Sequence, residues 1–172
     1  MKKGLVHIYT GDGKGKTTAA VGLLVRACGC GLRACMLQFL KTGESGELVS
    51  LQKLNVPVFR LETVRGFYFQ LGEEEKQLLT REVASEFELA RRLVREYDIV
   101  VLDEVFGALA NGLLTVSDLI CLVREKPAET ELVLTGRDAP DELVGLADYV
   151  SEIRMRKHPY TGGMTARRGI EY

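Results

Sequence analysis

The sequence contains no tryptophan, two histidines, four prolines and four cysteines in 172 residues. Two histidines and no Cys-x-x-Cys pair leave no zinc-finger or zinc-ribbon spacing. Cys28-Gly29-Cys30 is read, with Cys35 and Cys121, as buried reduced thiols. No apolar run is long enough to cross a bilayer. The formal net charge is only -1, so no global field draws the chain to nucleic acid or to an anionic membrane. Repeats, linkers and low-complexity stretches are also missing. Met1-Lys2-Lys3-Gly4 runs into a short apolar segment with no cleavage site, so no signal peptide is read and the cytoplasm is expected.

What is present suits one globular domain over residues 1–172. Hydrophobic residues make up 46% and charged residues 27%, enough to build a core and to solvate its surface. The C-terminal end is locally basic through Arg154, Arg156, Lys157, His158, Arg167 and Arg168. These form either a solvated surface or an anion-facing one.

Strand and helix patterns alternate. Leu5 to Tyr9 reads as a short buried strand, and Lys16 to Cys28 as a helix closed by Gly29 and Gly31. Ala34 to Phe39 reads as a second strand, Lys41 to Glu47 as a loop, and Val56 to Leu61 as a weaker strand. Glu73 to Glu96 is the clearest helix. Leu79, Val83, Phe87, Ala90 and Val94 recur on one stripe, and three glutamates stand at the start, where the dipole favours them. Ile99 to Leu102 is an unbroken apolar run, as expected of a central parallel strand. Val116 to Arg124 is a further helix; Glu131 to Thr135 and Tyr149 to Ile153 are further strands. The alternation predicts an α/β fold with a mostly parallel sheet flanked by helices; together with the glycine-rich motif that follows the first strand, the expected fold is P-loop NTPase-like (RecA-like).

The sharpest motif is Thr10-Gly11-Asp12-Gly13-Lys14-Gly15-Lys16-Thr17-Thr18, between the first strand and the first helix. Glycines let backbone N–H groups turn inward around phosphate oxygens, and the helix N-terminus adds its dipole. Lys16 supplies a charge for the phosphates, and Thr17 a hydroxyl for Mg²⁺. The usual Gly-x-x-x-x-Gly-Lys-Ser/Thr pattern has its first glycine replaced by Thr10. The second motif is Val100-Val101-Leu102-Asp103-Glu104, a carboxylate pair ending a buried strand expected beside the phosphate strand. Asp103 or Glu104 is expected to complete the shell of Mg²⁺ or Mn²⁺.

Several segments in order resemble the ATP:corrinoid adenosyltransferases. They are Tyr9 to Ala20, Gln38-Phe39-Leu40-Lys41, Gly66-Phe67, Leu102-Asp103-Glu104, Leu134-Thr135-Gly136-Arg137, Ala147-Asp148, Lys157-His158-Pro159 and Gly169-Ile170-Glu171-Tyr172. The phosphate loop that starts on threonine is characteristic of that family, as is the ending. The resemblance implies that a Co(I) corrinoid, such as a cobalamin, attacks C5′ of ATP and expels triphosphate. It implies Lys16, Thr17 and Glu104 in catalysis, with Glu104 favoured for the metal. It adds Lys14, Thr18, Gln38, Lys41 and Arg137 to the loop residues as nucleotide contacts, and His158 as a candidate corrin neighbour. Where the family carries Gly-Phe-x-Trp, this sequence has Gly66-Phe67-Tyr68-Phe69. Phe67 and Phe69 are expected to form an apolar wall excluding the lower cobalt ligand, so that Co(II) becomes reducible. A homodimer and a reduced flavoprotein donor are further implications. Some members carry a helical extension before the first strand; here the first strand begins at once. The rival readings are a P-loop ATPase, with Glu104 orienting water, and a non-catalytic carrier of ATP or corrinoid.

Overall fold

The computed structural model describes residues 3–60 and 68–172, and of residues 160 and 161 the backbone alone. Among the described residues six parallel strands form one sheet: β1 (Val6–Thr10), β2 (Ala34–Gln38), β3 (Val58–Arg60), β4 (Ile99–Asp103), β5 (Glu131–Thr135) and β6 (Tyr149–Glu152). Their order across the sheet is β3-β2-β4-β5-β1-β6. The helices are α1 (Lys16–Gly29), α2 (Gly46–Lys53), α3 (Glu73–Glu96), α4 (Val105–Ala110), α5 (Val116–Glu125) and α6 (Asp141–Val144). The α/β, P-loop NTPase-like reading therefore holds.

The two-residue pleat sorts the apolar strands onto two cores. Val100 and Leu102 of β4 join Cys35 and Leu37 of β2 and Leu132 and Leu134 of β5 on one face. That face is covered by Leu79, Val83, Phe87 and Ala90 of α3 and by Leu119 and Leu122 of α5. Ile99 and Val101, with Met36 and Val133, point the other way and meet Ala20, Leu24 and Ala27 of α1 and Leu51 of α2. A strand apolar at every position is thus buried on both sides. β6 is the exception: all four of its residues are exposed at the sheet edge.

Most elements lie within a residue or two of the sequence reading, and α3 has the expected bounds. Two expectations need correction. The strand carrying Asp103 does not lie beside the phosphate strand; β5 stands between β4 and β1. The cysteines are reduced, yet Cys30 and Cys121 are exposed and Cys28 is half-buried. Cys30 sits just past the end of α1, where the chain turns, and Cys121 lies on α5 between the inward-facing Leu119 and Leu122. Among the described residues no helix is long and apolar enough to cross a membrane.

Candidate nucleotide site

In an open parallel sheet, ligands gather at the carboxyl ends of the strands. Here β1, β2, β4 and β5 end on Thr10, Gln38, Asp103 and Thr135, and the chain leaves each one into a loop or helix at the same edge. A cleft of about 660 Å³ opens there.

The phosphate loop forms its floor. Gly11 has φ +100°, open to glycine at little cost, and a Cβ there would come within 2.4 Å of the Ile153 carbonyl oxygen. Gly13 donates its N–H to the same carbonyl at 2.7 Å, and a Cβ there would come within 2.7 Å of that oxygen. The chain after β6 thus braces the loop from outside. Met155 N–H adds a bond to Asp12 Oδ1 at 3.0 Å, and this bond, more than any neighbouring charge, holds the Asp12 carboxyl below its ordinary pKa.

Lys16 opens α1 and is only 7% exposed. With little water to solvate it, its ammonium donates to the carbonyls of Gly11 at 2.7 Å and Gly13 at 2.9 Å. Burial lowers its pKa, and the Glu104 carboxylate counters part of that effect. Thr17, one residue on, donates its hydroxyl to Asp103 Oδ1 at 2.9 Å.

Asp103 is fully buried and serves as a hub. Oδ1 also accepts from the Thr135 hydroxyl at 2.7 Å; Oδ2 accepts from Lys41 Nζ at 2.7 Å and Gln38 Nε2 at 3.2 Å. β5 therefore reaches Asp103 through Thr135, and β2 reaches it through Gln38, its register partner. Four donors on two oxygens suit an ionised carboxylate. Gln38 Oε1 is buried and has no partner among the described residues. Its Nε2 faces the carboxylates of Asp103 and Glu47, so the amide orientation is set by acceptors on that side. Hard carboxylate, hydroxyl and amide oxygens, one of them unsatisfied, are the donor set that Mg²⁺ accepts, so these residues fit such an ion.

Glu104 follows in the left-handed region, φ 58°, with its N–H on the Thr135 hydroxyl at 3.0 Å. That reversal ends β4 and starts α4, and it turns Glu104 onto the cleft wall. Arg137, after β5, lines the cleft as well, as do Asp12 to Thr18 of the loop and Lys41. Thr10, Gly11, Gln38 and Asp103 stand behind this lining; the Thr10 hydroxyl accepts the N–H of Ala139 at 3.2 Å. Phe69 lies in a short 3-10 turn (Tyr68–Gln70) and is 79% exposed, apart from the cleft lining. Phe67 lies outside the described residues.

Residues that sequence reasoning did not place complete the wall: Glu47 and Ser50 of α2, and the segment Gly169 to Tyr172. Glu171 accepts from Lys14 Nζ at 3.0 Å and from the Arg167 guanidinium at 3.1 Å. Arg167, with its own backbone N–H and then Lys14, pulls the Glu171 pKa down to about 2. Thr135 and the C-terminal segment were both within quoted motifs, but nothing in their types announced a bond to Asp103 or to Lys14. His158 lines the cleft, as the resemblance allowed.

The sheet and its loop place the molecule in the P-loop NTPase-like class of α/β folds. Within that class the chain belongs to the family of ATP:corrinoid adenosyltransferases BtuR/CobO/CobP, whose sequence model matches residues 2–172. It is similar to the corrinoid adenosyltransferase of Sinorhizobium sp, 34% identical over 176 residues that cover 99% of this chain and 81% of that one. It is similar to that of Escherichia coli K12, 34% identical over 175 residues, with 99% and 87% covered. The corrinoid adenosyltransferase CobA of Salmonella typhimurium LT2 is 33% identical over 174 residues, again with 99% and 87% covered.

Proposed function

We propose that this chain moves the 5′-deoxyadenosyl group of ATP to the Co(I) centre of a corrinoid and releases triphosphate, in cobalamin biosynthesis or salvage. The observation that carries the reading is one cleft in which a phosphate loop, Lys14, Lys16, Lys41 and Arg137 converge. The family match over nearly the whole chain supports it.

The reaction forms one bond, cobalt to C5′, and breaks one, C5′ to the triphosphate oxygen. Co(I) supplies the electron pair, and triphosphate leaves with the pair of the broken bond. No proton moves, so the protein's task is alignment and charge stabilisation rather than acid–base chemistry. Loop N–H groups and Lys16 hold the phosphates; Lys14, Lys41 and Arg137 face the charge that grows on the leaving group. A divalent ion, magnesium or manganese, would be held by Thr17, Asp103 and Glu104. It would neutralise part of the triphosphate charge. Phe67 and Phe69 supply the apolar wall that excludes the lower cobalt ligand, and His158, which lines the cleft, is a corrin neighbour. The enzyme works in the cytoplasm as a homodimer, with a reduced flavoprotein as electron donor.

The test is anaerobic incubation of the protein with ATP, Mg²⁺ and chemically reduced cob(I)alamin, with Lys16→Ala as control. Decay of the Co(I) absorbance, a light-sensitive alkyl-cobalt spectrum and one triphosphate per corrinoid are expected, with all three lost in the variant. ADP and phosphate would instead indicate an ATPase. Binding of both ligands without alkylation would indicate a carrier.

A further inference from the structure

Lys41 occupies an unusual position in this site. Its ammonium lies 2.7 Å from Asp103 Oδ2 and 2.9 Å from Thr17 Oγ1. It thus bridges the hydroxyl and the carboxylate that a divalent cation would draw on. The other donors to Asp103 are neutral: the Thr17 and Thr135 hydroxyls and the Gln38 amide. A fully buried carboxylate with only neutral donors is strongly disfavoured, so the Lys41 charge matters to it. Lys41 itself is only partly buried, with 30% of its side chain exposed, and it lines the cleft. Its four-carbon stem can therefore swing outward without disturbing the core.

The backbone is shaped for this contact. Leu40, immediately before it, has φ 57°, a conformation that costs a branched side chain energy. The bend follows the bond from Phe39 N–H to the Asp103 carbonyl at 2.9 Å and brings the next residue over the end of β4. Backbone strain held in place by its surroundings is a marker of function. Gln38 Oε1 in the same cluster, unpaired among the described residues, is a buried acceptor that Lys41 does not satisfy.

We propose that Lys41 is a tethered cation. It holds the metal position between Thr17 and Asp103 while no nucleotide is bound, and it transfers to the triphosphate when the metal arrives with ATP. The reading rests on the proposed reaction only in taking the nucleotide to be a triphosphate. It has a thermodynamic signature. Metal alone must displace Lys41 into water, whereas metal with ATP offers the ammonium new phosphate partners. Nucleotide and metal therefore strengthen each other's binding through Lys41, beyond their direct chelation, and the coupling is reciprocal.

The experiment is a titration of the nucleotide-free protein with Mn²⁺, read by loss of the free-ion EPR signal, for wild type, Lys41→Met and Lys41→Arg. Lys41→Gln serves if the methionine variant does not fold by circular dichroism. Wild type and Lys41→Arg are expected to bind Mn²⁺ weakly. The uncharged variant is expected to bind it about tenfold or more tightly, within the ordinary range of coupling between sites. Adding Asp103→Asn should abolish that gain. The enhancement of Mn²⁺ affinity by ATP should shrink by a similar factor in the uncharged variant, while direct chelation by ATP is common to all the proteins. Equal Mn²⁺ affinity in folded wild type and uncharged variant would overturn the proposal, as would tight metal binding by nucleotide-free wild type. Corrinoid is absent throughout, so failure of adenosyl transfer and failure of this coupling are separately visible.

Discussion

Replacing Glu86 should stabilise the protein, and by an amount that depends on pH. Glu86 lies on α3 one turn before Ala90 and one after Val83, in the stripe that faces the core. It is buried, and neither carboxylate oxygen has a partner among the described residues. Burial, with the like charge of Glu82 adding to it, pushes its pKa from 4.5 up to about 8. The folded state therefore keeps a proton that the unfolded chain has released. Because the folded pKa is the higher one, stability falls as pH rises from about 4.5 to about 8, and it is level outside that window. At about 1.4 kcal/mol per pH unit the ceiling is about 5 kcal/mol. Side-chain relaxation and water entry bring the expected value to about 2–3 kcal/mol. Glu86→Gln keeps the shape and cannot ionise; Glu86→Leu also removes the orphaned oxygens. Urea unfolding of the three proteins from pH 5 to pH 9 measures the difference, in which shared titrations cancel. Both variants should gain on wild type steadily up to pH 8, with leucine ahead at every pH. A wild-type-to-glutamine difference that stays constant across this range would refute the reasoning.

Gly13→Ala should destabilise the loop, because the new methyl would sit 2.7 Å from the Ile153 carbonyl oxygen and 2.9 Å from the Arg154 carbonyl carbon. A cost of about 1–3 kcal/mol is expected, with weakened ATP binding, measurable by denaturant titration and calorimetry. Phe69→Ala should leave stability within about 0.5 kcal/mol, since the ring is exposed. It should slow adenosylation that starts from Co(II) with a reducing partner, and spare turnover when Co(I) is supplied chemically. An equal loss in both assays would remove the aromatic-wall role.

Periodicity made the long elements legible. The stripe on α3 and the apolar run of β4 each have a single physical reading once length is considered. Short helices set by one dihedral were not legible. The Asp103-Glu104 pair marked the end of β4, but nothing in the sequence announced α4, which starts from the left-handed turn at Glu104. α2 was hidden because Gly46 and Glu47 continue the polar stretch before it, although Ser45 precedes it and Leu48 and Leu51 follow at helical spacing. The loop residues of the site were readable because glycine and lysine at that spacing have few other uses. The supporting shell was not. Thr135 bonds to Asp103 only because β5 intervenes between β4 and β1, and strand order is a long-range property.

The two halves of the cleft have different mechanical character, and the proposed reaction uses that difference. The loop side is fixed. Ile153 and Met155 brace it through backbone bonds, and Lys16 is tied to two of its carbonyls. The opposite side is held by ion pairs that solvent reaches: Lys41 on Asp103 and Lys14 on Glu171. The Lys14–Glu171 pair, partly exposed on both sides, is cheap to open, about 0–1 kcal/mol; Lys41 can leave the buried Asp103 carboxylate only when another cation takes its place. A triphosphate entering this cleft would exchange carboxylates for phosphates on both lysines, so its ground-state binding gains less than a list of four cations suggests. The gain grows as the C5′–O bond breaks, because the charge on triphosphate then exceeds the charge it replaced. Interactions that strengthen between ground state and transition state are the ones that raise the rate. A site whose cations are engaged beforehand by its own acids is arranged to hold back part of their attraction until the leaving group forms.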